Sequence, residues 1–318
     1  MAHSVTHATS ADGTFSAAGA TAWDENHAVT IDADAIDDSA TTNKFTTAAE
    51  ITKLANAREV LTANRNYYVR TDGSNSNDGL TNTSGGAFLT VQKAMDTIAG
   101  LDLGTYDAYI NIADGTYTTP ITLRNIVGAG TVYIVGNTST PANVIISTTS
   151  SDAVASYGVT GRYNLSGFKI QTTTSGSGIS ILGAGMFMSV GLLNFGACAT
   201  HHVFCRANAF FEVIGNYTIS GGAANHWITS LQGTVSHATD GTAVTITLSG
   251  TPAFSSNFAS ATAYSTISCA ASVVTFSGGA TGKRYTGQEL SLIRTIGGGA
   301  NYFPGNSAGS VATGAVYT

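Results

Sequence analysis

One spacing limits what this chain can fold into. From residue 166 onward, short β-branched and aromatic runs are cut by small-residue turns. The turns fall at Ser166-Gly167, Val190-Gly191, Ser220-Gly221, Ser249-Gly250 and Ser277-Gly278, in steps of 24, 30, 29 and 28 residues. A repeat of roughly 20 to 50 residues marks a stacked architecture, in which each unit buries its apolar face only against its neighbours. Uneven steps suit the coils of a solenoid, whose turns can vary in length, better than propeller blades of constant size. A β-sandwich stays open as the alternative, because it too is built from many short strands.

Composition supports the same class. Charged residues make up 10% of the 318 positions, against roughly 25% in an ordinary domain, while hydrophobic residues reach 43% and Gly numbers 37. Such a chain stays in solution through hydroxyls and amides, which stacked strands can present and a helical enzyme cannot easily use. The formal net charge is −6 and no Lys/Arg cluster occurs, so no nucleic-acid partner is expected. No run approaches the ~20 apolar residues of a membrane span, and Met1–Ser10 lacks the basic start and apolar core of a secretory leader. The expectation is a chain made in a cytoplasm, with no membrane insertion. Cys198, Cys205 and Cys269 are odd in number and sit in apolar sequence, which reads as buried thiols rather than a disulfide or metal framework.

Taken in order, residues 1–44 are polar and acidic, with Trp23-Asp24-Glu25-Asn26-His27 as the one aromatic-charged knot. This reads as an arm that gains structure by docking on a partner, through Trp23 and His27. Residues 45–66 read as a helical neck. Thr47 and Glu50 have capping-box spacing, and Ile51, Leu54, Arg58 and Leu61 recur at 3, 4 and 3 residues, the seam spacing that brings identical helices together. Residues 67–104 hold an extended start (Tyr67–Arg70), a turn-rich loop (Thr71–Gly86) and a short helix over Leu89–Ala99. One stripe of that helix is apolar: Leu89, Val91, Ala94, Met95 and Ile98. A helix of this kind can cover the open end of a strand stack. Residues 105–296 read as the stack itself, and 297–318 as a small-residue tail.

Three segments resemble known proteins. Phe45-Thr46-Thr47-Ala48-Ala49-Glu50-Ile51-Thr52-Lys53-Leu54-Ala55 resembles the neck of bacteriophage tail fibres. Leu89-Thr90-Val91-Gln92-Lys93-Ala94-Met95, followed by Ile110–Tyr117, resembles the start of right-handed parallel β-helices of the pectate-lyase type, found in phage tailspikes, tail fibres and secreted polysaccharide enzymes. Asn301-Tyr302-Phe303-Pro304-Gly305-Asn306 resembles the ends of phage tail proteins. The resemblance implies an all-β, right-handed parallel β-helix that assembles as a homotrimer. It also implies docking on a tail or baseplate protein through the N-terminus, residence in the virion tail, recognition of host surface polysaccharide and no cofactor.

Candidate site residues are few. Glu212 lies in a strand-like run and Asp240 in a turn 28 residues later. That interval would put them on neighbouring coils about 4.8 Å apart, close to the separation of a retaining glycosidase pair. Asp before Gly is also a common turn former, so both readings stand. His226-Trp227, with Tyr217, reads as a sugar-binding surface, the indole for stacking and the imidazole for hydrogen bonding. The competing reading is packing. His201 and His202 are adjacent, face opposite ways on a strand and make a poor metal pair. The expected function is structural attachment with glycan recognition, and the alternative is a polysaccharide depolymerase.

Overall fold

The computed structural model describes Lys53, residues 57–238 and residues 240–318. Arg58–Thr318 forms one compact unit. The proposed docking residues Trp23 and His27 and the neck residues Ile51 and Leu54 lie outside the described residues.

Arg58–Thr318 is a parallel β-solenoid of about eight coils. Three sheets run along it, of ten, seven and eight strands among the described residues. The first sheet begins at Arg65–Val69 and ends at Val316–Tyr317. The second runs from Gly115–Tyr117 to Val274–Ser277, and the third from Ile121–Thr122 to Ser310–Val311. Each coil visits the sheets in that order.

The pleat explains the burial. In Thr131–Val135 the first, third and fifth side chains face out while Val132 and Ile134 are fully buried. Register carries the inward position from coil to coil through Val132, Tyr163, Met188, Phe211, Val235, Ile267 and Ile293, all buried. Successive members are 23 to 32 residues apart, so the repeat read from sequence is real. Its glycines are not equivalent, however. Gly191 pairs with Ser166 at the end of the first sheet, whereas Gly221 and Gly250 lie just past the paired Ile219 and Leu248 of the second. Only Gly fits at 221, where a Cβ would stand 2.0 Å from the Ala197 nitrogen of the preceding coil. Gly221→Ala is therefore expected to destabilise by about 1–3 kcal/mol, the usual cost of overpacking, seen as a lower urea midpoint; an unchanged midpoint would show that the coils can spread there.

The helix Val91–Ala99 covers the first coils. Thr90 caps it by accepting from the Lys93 N–H at 3.2 Å, and Val91, Ala94, Met95 and Ile98 are buried. Asn75 in the preceding loop fastens its start, its Oδ1 accepting from the Leu89 and Thr90 N–H groups at 3.1 Å each. In the same loop Gly79, at φ +77°, lies flat on the Phe88 ring, where a side chain would collide with it.

Two boundaries differ from the sequence reading. The neck helix was expected through residue 66, yet residues 57–64 are not helical. Val60 bridges to Asp102, the Leu61 N–H donates to the Asp102 carbonyl at 2.9 Å, and Leu61 is 3% exposed within the solenoid core. Arg58 donates to the carbonyls of Ala99 and Leu101 behind the capping helix. Pairing with Asp102 consumes the backbone groups a helix would need, so Arg58 and Leu61 belong to the solenoid and not to a helical seam. At the other end, residues 297–318 form a last coil rather than a loose tail. Ser310–Val311 pairs with Thr281–Gly287, and Val316–Tyr317 with Leu292–Arg294. Phe303 is fully buried there, and it ties the segment down together with Tyr317, stacked on Tyr285 at 3.9 Å, and Tyr302, whose hydroxyl donates to the Val274 carbonyl at 2.8 Å. Among the described residues no helix is long and apolar enough to cross a membrane.

Candidate functional site

The residues named as a sugar-binding surface are inside the solenoid. His226 is 0%, Trp227 1% and Tyr217 4% exposed. Consecutive residues are buried on two neighbouring strands, His202 and Val203 on His201–Arg206 and Asn225, His226 and Trp227 on Ala223–Ser230, so the alternation rule fails at this place in the third sheet. His226 meets Phe258 at 4.9 Å between centroids, and Trp227 packs among Phe258, Phe276 and Phe303. Cys198, Cys205 and Cys269 are buried free thiols. Among the described residues no three His, Cys, Asp or Glu side chains converge on a metal-sized site.

A buried chain of hydrogen bonds starts at Tyr217. Its hydroxyl lies 2.7 Å from His226 Nε2, His226 Nδ1 lies 3.0 Å from His202 Nδ1, and His202 Nε2 lies 2.9 Å from the Gly196 carbonyl. The carbonyl can only accept, which orders every proton. His202 Nε2–H donates to Gly196, His226 Nδ1–H donates to the bare His202 Nδ1, and the Tyr217 O–H donates to the bare His226 Nε2. Burial holds both imidazoles neutral: it lowers His202 to about 3 and drives His226 well below its ordinary value, with His201 adding to the effect on His202 and His202 to that on His226.

Glu212 and Asp240 are separated by their surroundings. Glu212 faces outward from Phe210–Val213, half-buried, in register with Ser189 and Ser236. Burial, then the nearby Asp240 charge, raises its pKa. Asp240 lies in an exposed turn and accepts from the Thr242 N–H at 2.9 Å, which lowers its pKa. It closes its own turn, as Asp before Gly usually does. The aromatic rings near Glu212 are ladders. Phe187 stacks on Phe210 at 5.3 Å and 11°, and the Arg162 guanidinium covers the other Phe187 face at 5.2 Å. Their edges point to solvent while most of their faces are taken, so they stabilise the sheet and leave little for a ligand to stack on.

A concave feature lies at the corner from the first sheet to the second. On the coils around residues 167, 192 and 216 this corner is short and stacked, with Gly167 N–H donating to Leu192 O at 2.9 Å and Leu192 N–H to Asn216 O at 2.6 Å. The coil before them carries the longer segment 136–143, held stiffly. Asn137 and Asn143 each donate to one oxygen of Asp114 at 3.0 Å, and Asn137 Oδ1 accepts from the Thr140 N–H at 2.8 Å. The result is a trough of about 310 Å³. Thr138, Ser139 and Pro141 form one wall, Leu192 and Asn216 the floor, and Thr245 and Thr247 the far side. Tyr217 closes its base, at the head of the histidine chain. No lining residue is charged. Sequence reading missed this trough; the signal was the run Gly136–Asn143, long for a turn and carrying Asn137 and Pro141, but only registered strands show that its neighbours are short.

A second surface feature lies on the corner from the third sheet back to the first. Leu231, Tyr264 and Leu290 are 57%, 64% and 58% exposed on successive coils, and each has a positive φ, 49°, 60° and 55°. The chain continues this corner at the exposed Tyr157 and Val127 of earlier coils.

No family model, curated protein or solved structure matches the chain.

Proposed function

We propose that this chain is a structural phage tail fibre or tailspike protein. Its N-terminal residues dock on a tail or baseplate protein, its solenoids assemble as a homotrimer, and the assembly recognises host surface glycan. The observation that carries the reading is the apolar corner of Leu231, Tyr264 and Leu290. Large apolar side chains at left-handed positions cost backbone strain where Gly or Asn would not, and an apolar ridge running along a rod suits a contact with a parallel copy. Three copies side by side would offset weak single-site affinity through avidity.

Light scattering on the purified protein is expected to give a trimer. The triple variant Leu231→Ser, Tyr264→Ser, Leu290→Ser should dissociate while keeping its β-sheet circular dichroism. A monomeric wild-type protein would remove the trimer from the proposal.

The depolymerase reading rests on one observation, the outward, half-buried Glu212 whose proton affinity is raised next to Asp240. A raised and a lowered carboxyl side by side is the pattern of an acid and its partner. Incubation with host polysaccharide decides it: new reducing ends that vanish in Glu212→Gln would establish hydrolysis, and their absence in the wild type would leave Glu212 a sheet residue.

A further inference from the structure

The trough beside segment 136–143 is a built depression, and its chemistry is uniform. Its walls offer the hydroxyls of Thr138, Ser139, Thr245 and Thr247, and its floor offers the exposed Asn216 amide beside the apolar side chain of Leu192, 45% exposed. Three features separate it from an ordinary dent between coils. The wall is fixed by two Asn–Asp114 hydrogen bonds and an Asn137 turn, so it does not collapse into the space. Asn216 is positioned by the Thr245 N–H, which donates to its Oδ1 at 2.7 Å, leaving its NH₂ group unengaged by that bond. Leu192 is held at φ +53° with its side chain in solvent, a position that Gly or Asn would occupy without strain.

We infer that this trough is a binding site for an uncharged oligosaccharide lying along the solenoid axis. A hydroxylated, uncharged ligand can exchange hydrogen bonds with threonine, serine and asparagine on both sides, while its C–H faces rest on Leu192 and Pro141. An acidic saccharide would bring a carboxylate into a site with no charged lining residue to compensate its desolvation. The trough reaches from the coil of Ser139 to that of Thr247, four coil steps or about 19 Å at the spacing of parallel strands, which sets a short oligosaccharide as its occupant. The aromatic ladder of Phe187 and Phe210 is not part of this site, since it lies on the first sheet and its rings are stacked on one another. The inference rests on the glycan-recognition reading and adds the place and the ligand class.

The test uses the full-length protein, a printed array of neutral and acidic microbial oligosaccharides, and calorimetry on the best ligand. Leu192→Trp and Thr247→Trp fill the trough from two different coils, and Ser236→Trp places the same bulk on the outward face of the first sheet. Neutral oligosaccharides are expected to bind, with a loss of tenfold or more in both trough variants and little change in Ser236→Trp, all four proteins unfolding at similar urea concentrations. Glycan binding that survives both trough variants overturns the site and leaves glycan recognition standing. Binding confined to acidic saccharides overturns the ligand class. A wild-type protein that binds no saccharide on the array overturns the glycan reading, and the trough site with it.

Discussion

Acid should weaken this solenoid before most of its carboxylates titrate. His202 and His226 are fully buried and neutral, with pKa values pressed far below the unfolded value of about 6.5. The unfolded chain therefore binds protons that the folded chain refuses. Stability is fully present above about pH 6.5 and falls as pH drops toward 3, where His202 at last accepts a proton. At pH 4.5, two units below the unfolded histidine value, His202 alone accounts for a loss of about 2.7 kcal/mol, and His226, lowered in the same direction, adds to it. The hydrogen-bond chain gives the physical cause. An extra proton on His202 would set Nδ1–H against the Nδ1–H of His226, so the pair has no acceptor to offer it. His201, also lowered by burial, acts with the same sign. Asp72 and Asp240 are depressed too, but from 3.8 downward and on the surface, below pH 4.5, and Glu212, whose pKa is raised, takes up its proton earlier in the folded state and opposes the loss. Urea unfolding at pH 7.5 and 4.5 measures the effect. The double variant His202→Leu, His226→Leu should lose most of the difference between the two pH values, whatever its stability at neutral pH. An undiminished pH dependence in that variant would place the acid sensitivity elsewhere.

The second large effect concerns which aromatic rings hold the fold. Phe258 is fully buried and meets Phe254, Phe276 and Phe303 at 5.2, 5.2 and 6.0 Å, with Trp227 at 5.9 Å. Phe258→Ala would leave a cavity lined by rings that cannot all shift, and should cost about 3–5 kcal/mol. Phe187→Ala removes an outward ring that stacks on Phe210 under Arg162, and should cost about 0.5–1.5 kcal/mol. The comparison, read from urea midpoints of the two variants against wild type, separates core from ladder. Equal losses would mean that the outward ladders contribute as much as the interior cluster, and that the aromatic C-terminal half of the core is not where the coils are locked together.

Much of the architecture is legible in the sequence. The strand runs, the repeat of roughly 25 to 30 residues and four of the five stripe residues, Val91, Ala94, Met95 and Ile98, reappear as sheets, coils and cap, while Leu89 stands 41% exposed ahead of the helix. These are local signals, since a pleat alternates every second residue and a helix returns every third or fourth whatever lies nearby. The site residues were a different matter. His226, Trp227 and Tyr217 look like a sugar platform in one dimension because the pair His-Trp is rare and polar-aromatic. They are core because strict alternation fails in this part of the third sheet, where Asn225, His226 and Trp227 are all buried, as are His202 and Val203 on the strand before. Leu61 and Arg58 kept seam spacing, yet a partner 41 residues away, Asp102, drew Leu61 into the solenoid.

By itself the sequence determined a repeat of short strands with an amphipathic helix near its start, since alternation, helical spacing and turn residues act within a few positions of one another, while it left a β-sandwich open beside the parallel coils that the resemblance implied. Only the tertiary structure decided which residues meet across coils. It put the last segment into a final rung through Phe303, the His–Trp pair inside, and a long segment beside three short corners to make a trough. Those outcomes depend on how each turn's length compares with the turns above and below it, a relation between residues some 25 apart that no single stretch of sequence contains.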